Sequence, residues 1–514
     1  MGVSCVLFGW SSRAAADDAR PSIENEPFPL VVSHDKHYLR AGLEVGGILA
    51  VGFVDYLLNT NARGGTLRPG ESRWDLRYDW PTLRGKLTGA DIALDGNKLP
   101  TNYVSHPFAG TLYYTAARSN HLSFAESFMY AAAGSTTWEF FGEIRETTSI
   151  NDLIVTPVSG AAIGEATMQL AGFFQRGRRN VGNGVLSTLF SPVNAVNMWA
   201  DGAEPERAAA TDALGLPNDV WHRFDVRASA GVTVQEATAL SSKATYGDVG
   251  LGIDLRLANL LGYASVAKRS RIFDEANISG VSFDATFSKG GLTSATFATR
   301  VVPFGFYARD ASLDEDGVLR GHGGFLGLRI GFEYGMHDYD RDRTRPLDHL
   351  AVVSPLGIAA EHTFERGPWR VQTSLDLYGS IAGVNAYALS DYRRRSATTG
   401  LPNLVASEGY YHAAAVTVRP GVEVAYRGLS AGAEMRLDGF RPITGVFDDQ
   451  DKVDRSIRFA DQRARLRANL GYSPNGSPVR VTLSGERRFR AGEVDGTHAS
   501  RTETSLIGSL GFVF

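Results

Sequence analysis

The stretch WRVQTSLDLYGSIAG at 369–383 sets Trp369, Val371, Thr373, Leu375, Leu377 and Ile381 on one side of an extended chain. Arg370, Gln372, Ser374, Asp376 and Ser380 fall on the other. A period of two describes a strand with one apolar and one wet face. RFDVRASAGV (223–232) and RARLRANLGY (463–472) repeat the pattern. About twelve such runs fill residues 219–514, near 221–235, 244–258, 279–289, 295–309, 319–336, 349–364, 368–387, 409–426, 429–441, 457–473, 478–490 and 501–514. Ten or fourteen strands are the alternatives. Short turns such as Glu365-Arg366-Gly367-Pro368 alternate with long polar loops at 388–408 and 441–455, the pattern of a transmembrane β-barrel. A soluble sandwich fits less well, because its strands usually have five or six residues. The final SLIGSLGFVF places Leu506, Leu510, Phe512 and Phe514 on one face and is similar to the assembly signal of bacterial outer-membrane barrels, with Ser509 as its small residue.

If the apolar faces meet lipid, the lumen receives Arg223, Asp225, Arg227, Arg370, Asp376, Glu434, Arg436, Asp438, Arg463, Arg465, Arg467, Arg480, Glu486 and Arg488. Mixed signs in facing rows predict ion-pair ladders that fill the interior; an ion- or solute-selective pore is the alternative. The loop HDYDRDRTR (337–345) reads as solvated, with a divalent cation or lipopolysaccharide as the other reading. A net charge of −4 gives no reason to expect a nucleic-acid partner. The single cysteine, Cys5, excludes a disulfide framework and any multi-cysteine metal site. Residues 1–16, ending Ala14-Ala15-Ala16, read as the remnant of a signal peptide, and 17–37 as a flexible segment.

The first half has a helical period. HYLRAGLEVGGILAVGFVDYLLN (37–59) has spanning length but contains Glu44 and Asp55, so a buried or interfacial helix is expected. Residues 60–105 look loop-rich, and helices are expected at about 107–118, 122–142, 150–176 and 186–199. The expected architecture is therefore α+β and multidomain. A helical domain over 38–199 and a linker at 200–218 precede an antiparallel outer-membrane barrel over 219–514.

Ionisable residues cluster in the helical domain. Glu139 and Glu143, at i and i+4, share one helical face and repel unless a metal, a shared proton or a base such as Arg118 or Arg145 compensates. Ser149 reads as an N-cap with Asn151 and Asp152 in the first turn. Gly160 and Gly164, spaced by four, allow a close helix approach beside Glu165. His106, Glu139, Glu143 and Asp152 are the acid/base candidates; His106, Glu139 and Glu143 are the metal candidates; and Asn102, Arg118, Asn151 and Glu165 are the ligand candidates. The competing reading is a structural network, in which His106 caps the helix beginning at Pro107 and Arg118 and Arg145 neutralise the two glutamates. No cofactor is expected on that reading; a divalent cation is the exception.

Asn102, His106-Pro107, Gly110, Tyr113 and Ala116-Ala117-Arg118 are followed by Trp138-Glu139, Gly142-Glu143, Ser149-Ile150-Asn151-Asp152, Pro157, Gly160 and Gly164-Glu165. This series resembles a bacterial envelope domain of unknown function over about residues 95–200. The resemblance implies an envelope location and a helical domain joined to a barrel, and no established activity. A fainter likeness over 139–164 is to VanZ-like membrane proteins, with Thr156 where that pattern places Asn. The expected role is an outer-membrane barrel whose helical domain is a plug or a periplasmic docking and lipid-interaction module. The expected partners are outer-membrane lipid or lipopolysaccharide and, through the strand ending at Phe514, the barrel-assembly machinery. An envelope-lipid-modifying enzyme is the alternative, and a pore for ions or small solutes is the third.

Overall fold

In the computed structural model the twelve alternating runs close into a ring. It describes residues 35–58, 80–90, 92–143, 146–237, 242–339, 347–395, 401–443, 457–474 and 477–514, so the expected signal remnant and most of the 337–345 loop lie outside the described residues. Helices α1 (Tyr38–Leu58) and α2 (Trp80–Thr88) come first. A two-residue strand β1 (Ile92–Ala93), α3 (His106–Ser119) and α4 (Phe124–Thr137) follow. Then come β2 (Thr148–Ser149), α5 (Ile150–Arg176), α6 (Val181–Phe190) and α7 (Pro192–Asp201). Single π-helical turns extend α3 backwards (Thr101–Ser105) and α4 forwards (Trp138–Gly142).

The barrel strands are β3 (Trp221–Ala237), β4 (Ser242–Ala258), a short β5 (Lys268–Phe273), β6 (Ile278–Ser288), β7 (Gly291–Leu313), β8 (Leu319–His337) and β9 (Asp348–Arg366). After β10 (Trp369–Asn385) the chain forms α8 (Leu389–Arg395) and α9 (Asn403–Ser407), then β11 (Tyr410–Tyr426), β12 (Leu429–Pro442), β13 (Phe459–Tyr472), β14 (Val479–Val494) and β15 (Thr497–Val513). Every pairing in the ring is antiparallel, β15 joins β3, and β7–β8 completes a twelve-strand closure that leaves no edge. Strand β5 continues the line of β6 along the long β7, which pairs with both. Its sequence, KRSRIF, has no alternation, so periodicity does not reveal it.

Strand parity identifies the two faces. On β8, Leu326 and Leu328 point outward with the exposed belt, whereas Arg329 and Glu333 face the lumen. Ile330 and Phe332 share the outward parity, yet Ile330 is 9% exposed against 44% for Leu328. Helix α5 is what covers them. Its Val155, Val158, Ala162, Ala166, Leu170 and Phe173 lie in one core with the outward-facing Phe224, Leu255, Val281, Val301, Ile330 and Val353. At its far end Phe173 and Phe174 meet Phe224 with ring centroids 5.3 and 5.6 Å apart. At its near end the domain reaches β10 and β11, where a Cβ on Gly383 would stand 2.4 Å from the Tyr103 ring. With 27 residues, α5 is about 40 Å long and runs obliquely from the long-loop end of the barrel to the end holding Phe514. The expected plug is therefore corrected: the domain packs on the outside of the wall, because α5's apolar residues match the barrel's apolar face and not its ionic interior.

The lumen is occupied by the barrel's own residues. Arg436 and Arg463, on neighbouring strands, reach across to Glu333 on β8 at 2.6 and 3.1 Å. Arg300 meets Asp376 at 3.0 Å and Arg490 meets Asp348 at 2.9 Å. Toward the Phe514 end, the segment after β4 turns inward, where Tyr307 donates to the Gly262 carbonyl and Trp221 packs on Tyr263. At the other end residues 386–395 and 401–405 fold in through Leu389, Tyr392 and Val405. Between them lies a cavity of about 140 Å³ lined by Asp254, Arg256, Arg300, Glu361, Asp376 and Glu434, among others.

Of the two readings for α1, buried or interfacial, the buried one does not hold. Only Ala41, Val45, Tyr56 and Leu57 of its described side chains are buried, and Val51 is 73% exposed. The helix expected at 186–199 is two, because Pro192 lacks the N–H that would continue α6.

Docking through α5 predicts different costs for two apolar truncations on the same side of the barrel wall. Phe173→Ala empties the seam and should cost about 3–5 kcal/mol, whereas Leu328→Ala, half exposed, should cost well under half of that. Thermal unfolding of the folded protein in detergent micelles measures both.

Candidate functional site

The site is built by the crossing of α3 and α5. These helices run parallel, and a Cβ added to Gly110 would come 1.9 Å from the Thr156 carbonyl oxygen. One added to Gly160 would come 2.3 Å from the Gly110 carbonyl carbon. Backbone therefore meets backbone, and side chains one or two turns away are brought face to face. One turn before Gly110 stands His106; two turns before Gly160 stands Asp152. Their Nε2 and Oδ2 atoms are 3.5 Å apart.

Asp95 completes the group. One ligand atom from each of Asp95, His106 and Asp152 lies within 4.8 Å of the others. The Asp95 carboxylate accepts from the Asn97 backbone N–H, from Asn97 Nδ2 at 2.7 Å and from Asn102 Nδ2 at 3.1 Å. Its backbone N–H donates to Asn151 Oδ1 at 2.9 Å, and Asn151 Nδ2 donates to Asp152 Oδ1 at 3.1 Å. Ser149 is the N-cap of α5, its hydroxyl accepting from the Asp152 N–H at 3.1 Å. The barrel wall supports the same loop. His412 bridges the Asp95 carbonyl and the Tyr103 hydroxyl, both at 3.0 Å, and Tyr410 hydrogen-bonds Asn102 and the Asn97 carbonyl.

Of the residues singled out in the sequence, Asn102, His106, Asn151 and Asp152 converge here. Glu139 borders the group, its Oε2 accepting the Ser149 N–H at 2.8 Å. Glu143 does not join it. The π turn ends at Gly142, Glu143 leaves helical geometry as its C-cap, and Glu143 Oε1 takes the Trp138 indole N–H at 2.9 Å. Of the expected metal candidates His106, Glu139 and Glu143, only His106 has other possible ligand atoms gathered round it, those of Asp95 and Asp152. Nor does His106 cap a helix, since the π turn runs continuously into α3. Lys86 donates to the carbonyls of Glu139 and Glu143, neutralising the end of that helix.

Arg118 pairs with Glu165 and not with Glu139 or Glu143. Its Nε and Nη2 reach the Glu165 carboxylate at 3.0 and 3.2 Å, with Tyr114 and Gln169 each adding a bond of 2.6 Å. A further contact to Glu275 at 2.9 Å ties this cluster to the barrel. Arg118 and Glu165 are structural and lie about three turns along α3 from His106. Asp95 was missed because Asp95-Gly96-Asn97 reads as an ordinary turn; the signal was the Asn102 and His106 that follow it.

Burial raises the Glu143 carboxyl above its usual range. Burial and the charge of Glu143 push Glu146, half-buried in the turn after the π helix, up to about 8.

The fold is that of a transmembrane β-barrel preceded by a helical region. Residues 91–193 match the model of a domain of unknown function, DUF3943. Among solved structures, the β domain of the Bordetella autotransporter BrkA is similar at 14% identity, covering 57% of this chain and 99% of that one, with a TM-score of 0.25. A Pseudomonas aeruginosa FadL homologue (10% identity, 58% and 90% covered, TM-score 0.23) and P. aeruginosa OccK2 (11%, 57% and 98%, 0.16) are also similar. No curated protein matches the sequence.

Two predictions follow from the buried charges. Arg118→Ala leaves Glu165 without its cation and should cost about 3–5 kcal/mol, part of which Arg118→Ala with Glu165→Gln restores; thermal unfolding checks it. Glu146 keeps its proton up to about pH 8 when folded and loses it near 4.5 when unfolded. Folding therefore takes up a proton between these values, and this group's contribution makes stability fall as pH rises from 4.5 to about 8, then level off. Glu146→Gln should flatten that slope in melting curves recorded across the range.

Proposed function

We propose that the protein is an outer-membrane barrel carrying a lipid-interaction module on its outer wall. The observation that supports this most is the position of α5 on residues of β4 and β6–β9 whose parity faces lipid elsewhere in the ring. The remaining surface of the bundle is suited to the same surroundings. Leu39, Leu43 and Val51 on α1, Met129 on α4, Val181 and Leu189 on α6 and Trp199 on α7 are exposed apolar side chains. Trp199, 83% exposed, is of the type that anchors at a membrane interface. Helix α1 is long and apolar enough to cross a membrane, and α5 exceeds a hydrocarbon core of about 30 Å. Envelope lipid is the partner on this reading, and the wall-docked bundle is where it is met. The occupied lumen gives no support to a solute pore.

A second reading, an enzyme acting on envelope lipid, is supported by the His106–Asp152 pair, a base and an acid in reach of each other near the barrel's long-loop end. An envelope-lipid profile of cells carrying His106→Ala, at matched protein levels, checks it: a species altered only in the variant supports an enzyme, and unchanged profiles reject one.

The lipid-facing reading is tested by fluorophores attached at Leu43→Cys and Val185→Cys in a Cys5→Ser background, with the protein in vesicles containing nitroxide-labelled lipids. Quenching should match that at Leu326→Cys on the barrel belt and exceed that at Glu204→Cys on the linker. Labels on the bundle that are quenched only by water-soluble agents overturn it.

A further inference from the structure

The carboxylate of Asp152 is 0% exposed, and its Oδ2 has no hydrogen-bond donor among the described residues. A buried carboxylate oxygen left without a donor is costly, and a partner of positive charge is the usual remedy. What faces this oxygen is His106 Nε2, 3.5 Å away and beyond good hydrogen-bond length, with an Asp95 oxygen beside them. Among the described residues neither arginine nor lysine supplies the charge; Arg145 lies outside them. Arg118 is committed to Glu165 and Glu275, and the Lys86 ammonium donates to the backbone carbonyls of Glu139 and Glu143. A second acidic oxygen nearby, Glu139 Oε1, is likewise buried without a donor.

The three side chains are also held in place by a second layer of contacts, as ligands are. Asn97 and Asn102 orient the Asp95 carboxylate, and Asn151 orients Asp152 while binding the Asp95 backbone. The glycine crossing fixes the separation of His106 from Asp152. Outer contacts of this kind are what keep metal ligands converged. One imidazole nitrogen with two carboxylate oxygens suits zinc or manganese better than calcium, which takes oxygen ligands alone. Three protein ligands also leave room for water or another oxygen donor, as in catalytic zinc centres.

We propose that Asp95, His106 and Asp152 form a binding site for a divalent transition-metal ion of the zinc or manganese class, at the seam between the helical domain and the barrel's outer wall. The site does not depend on the lipid-facing reading. Metal binding and fluorophore quenching are separate measurements, so either can fail alone.

The test uses full-length protein in detergent, stripped with a chelator and titrated with zinc and then manganese by calorimetry, with metal analysis after gel filtration. Wild type should bind about one equivalent of one of these ions, with a raised melting temperature. Asp152→Asn, which keeps the shape and removes the charge, should weaken binding at least tenfold, as should His106→Ala. Asp95→Asn, in the half-buried turn, supplies the test should the buried variants fail to fold. Glu143→Gln should bind as wild type does. No binding by wild type, or equal binding by Asp95→Asn and wild type, overturns the site; the second result would place the ion on surface carboxylates.

Discussion

A closed antiparallel ring leaves an apolar face outside it, and in this protein part of that face is covered by the chain itself. The packing of α5 on outward residues of β4 and β6–β9 is what the rest of the helical region is arranged around. Once α5 lies on the wall, α3 is placed by backbone contact at Gly110 and Gly160, and α4 by a capping box at Ser123 and Glu126 and by packing on both. The Asp95 turn is then pinned between bundle and barrel by Tyr103, Tyr410 and His412. Each of these steps depends on surface complementarity, and none on a covalent link.

The polar groups obey a different economy from the apolar ones. In the lumen, many acids and arginines meet on facing strands and across the ring, so their burial is matched by opposite charge, although Glu423 Oε2 is buried without a donor among the described residues. The same holds for Arg118 and Glu165 inside the bundle. The group around Asp152 differs: three acids and a histidine converge where, among the described residues, the nearest cations bind other groups. That contrast with the Arg118 cluster is what supports the proposed metal site.

Much of this was legible in the sequence, and the exceptions have physical causes. Alternation located all twelve ring strands because a two-sided wall imposes its period on every residue. The long α5 was placed at 150–176 because Ser149 caps it and the helical period runs on from there. Periodicity says which side of a strand is apolar but not what covers it, so the position of the bundle could not be read. It also cannot register an irregular repeat. The π turn after α4 ends the helix so that Glu143 caps it, and Lys268–Phe273 pairs with β7 without an alternating pattern. Asn102, His106, Asn151 and Asp152 were visible as chemistry-bearing residues; Asp95 lay in a segment with no period at all.

The distances along the chain between touching elements carry a consequence for assembly. Residues 150–176 rest on strands formed as late as 348–366, and the Asp95 turn rests on Tyr410 and His412. The surface that receives the helices does not exist until those strands have paired. The helical region thus leaves the ribosome before the barrel and is among the last parts to reach its final place. Until then α5 has no wall to lie against, and the apolar side chains that will meet the barrel stay uncovered.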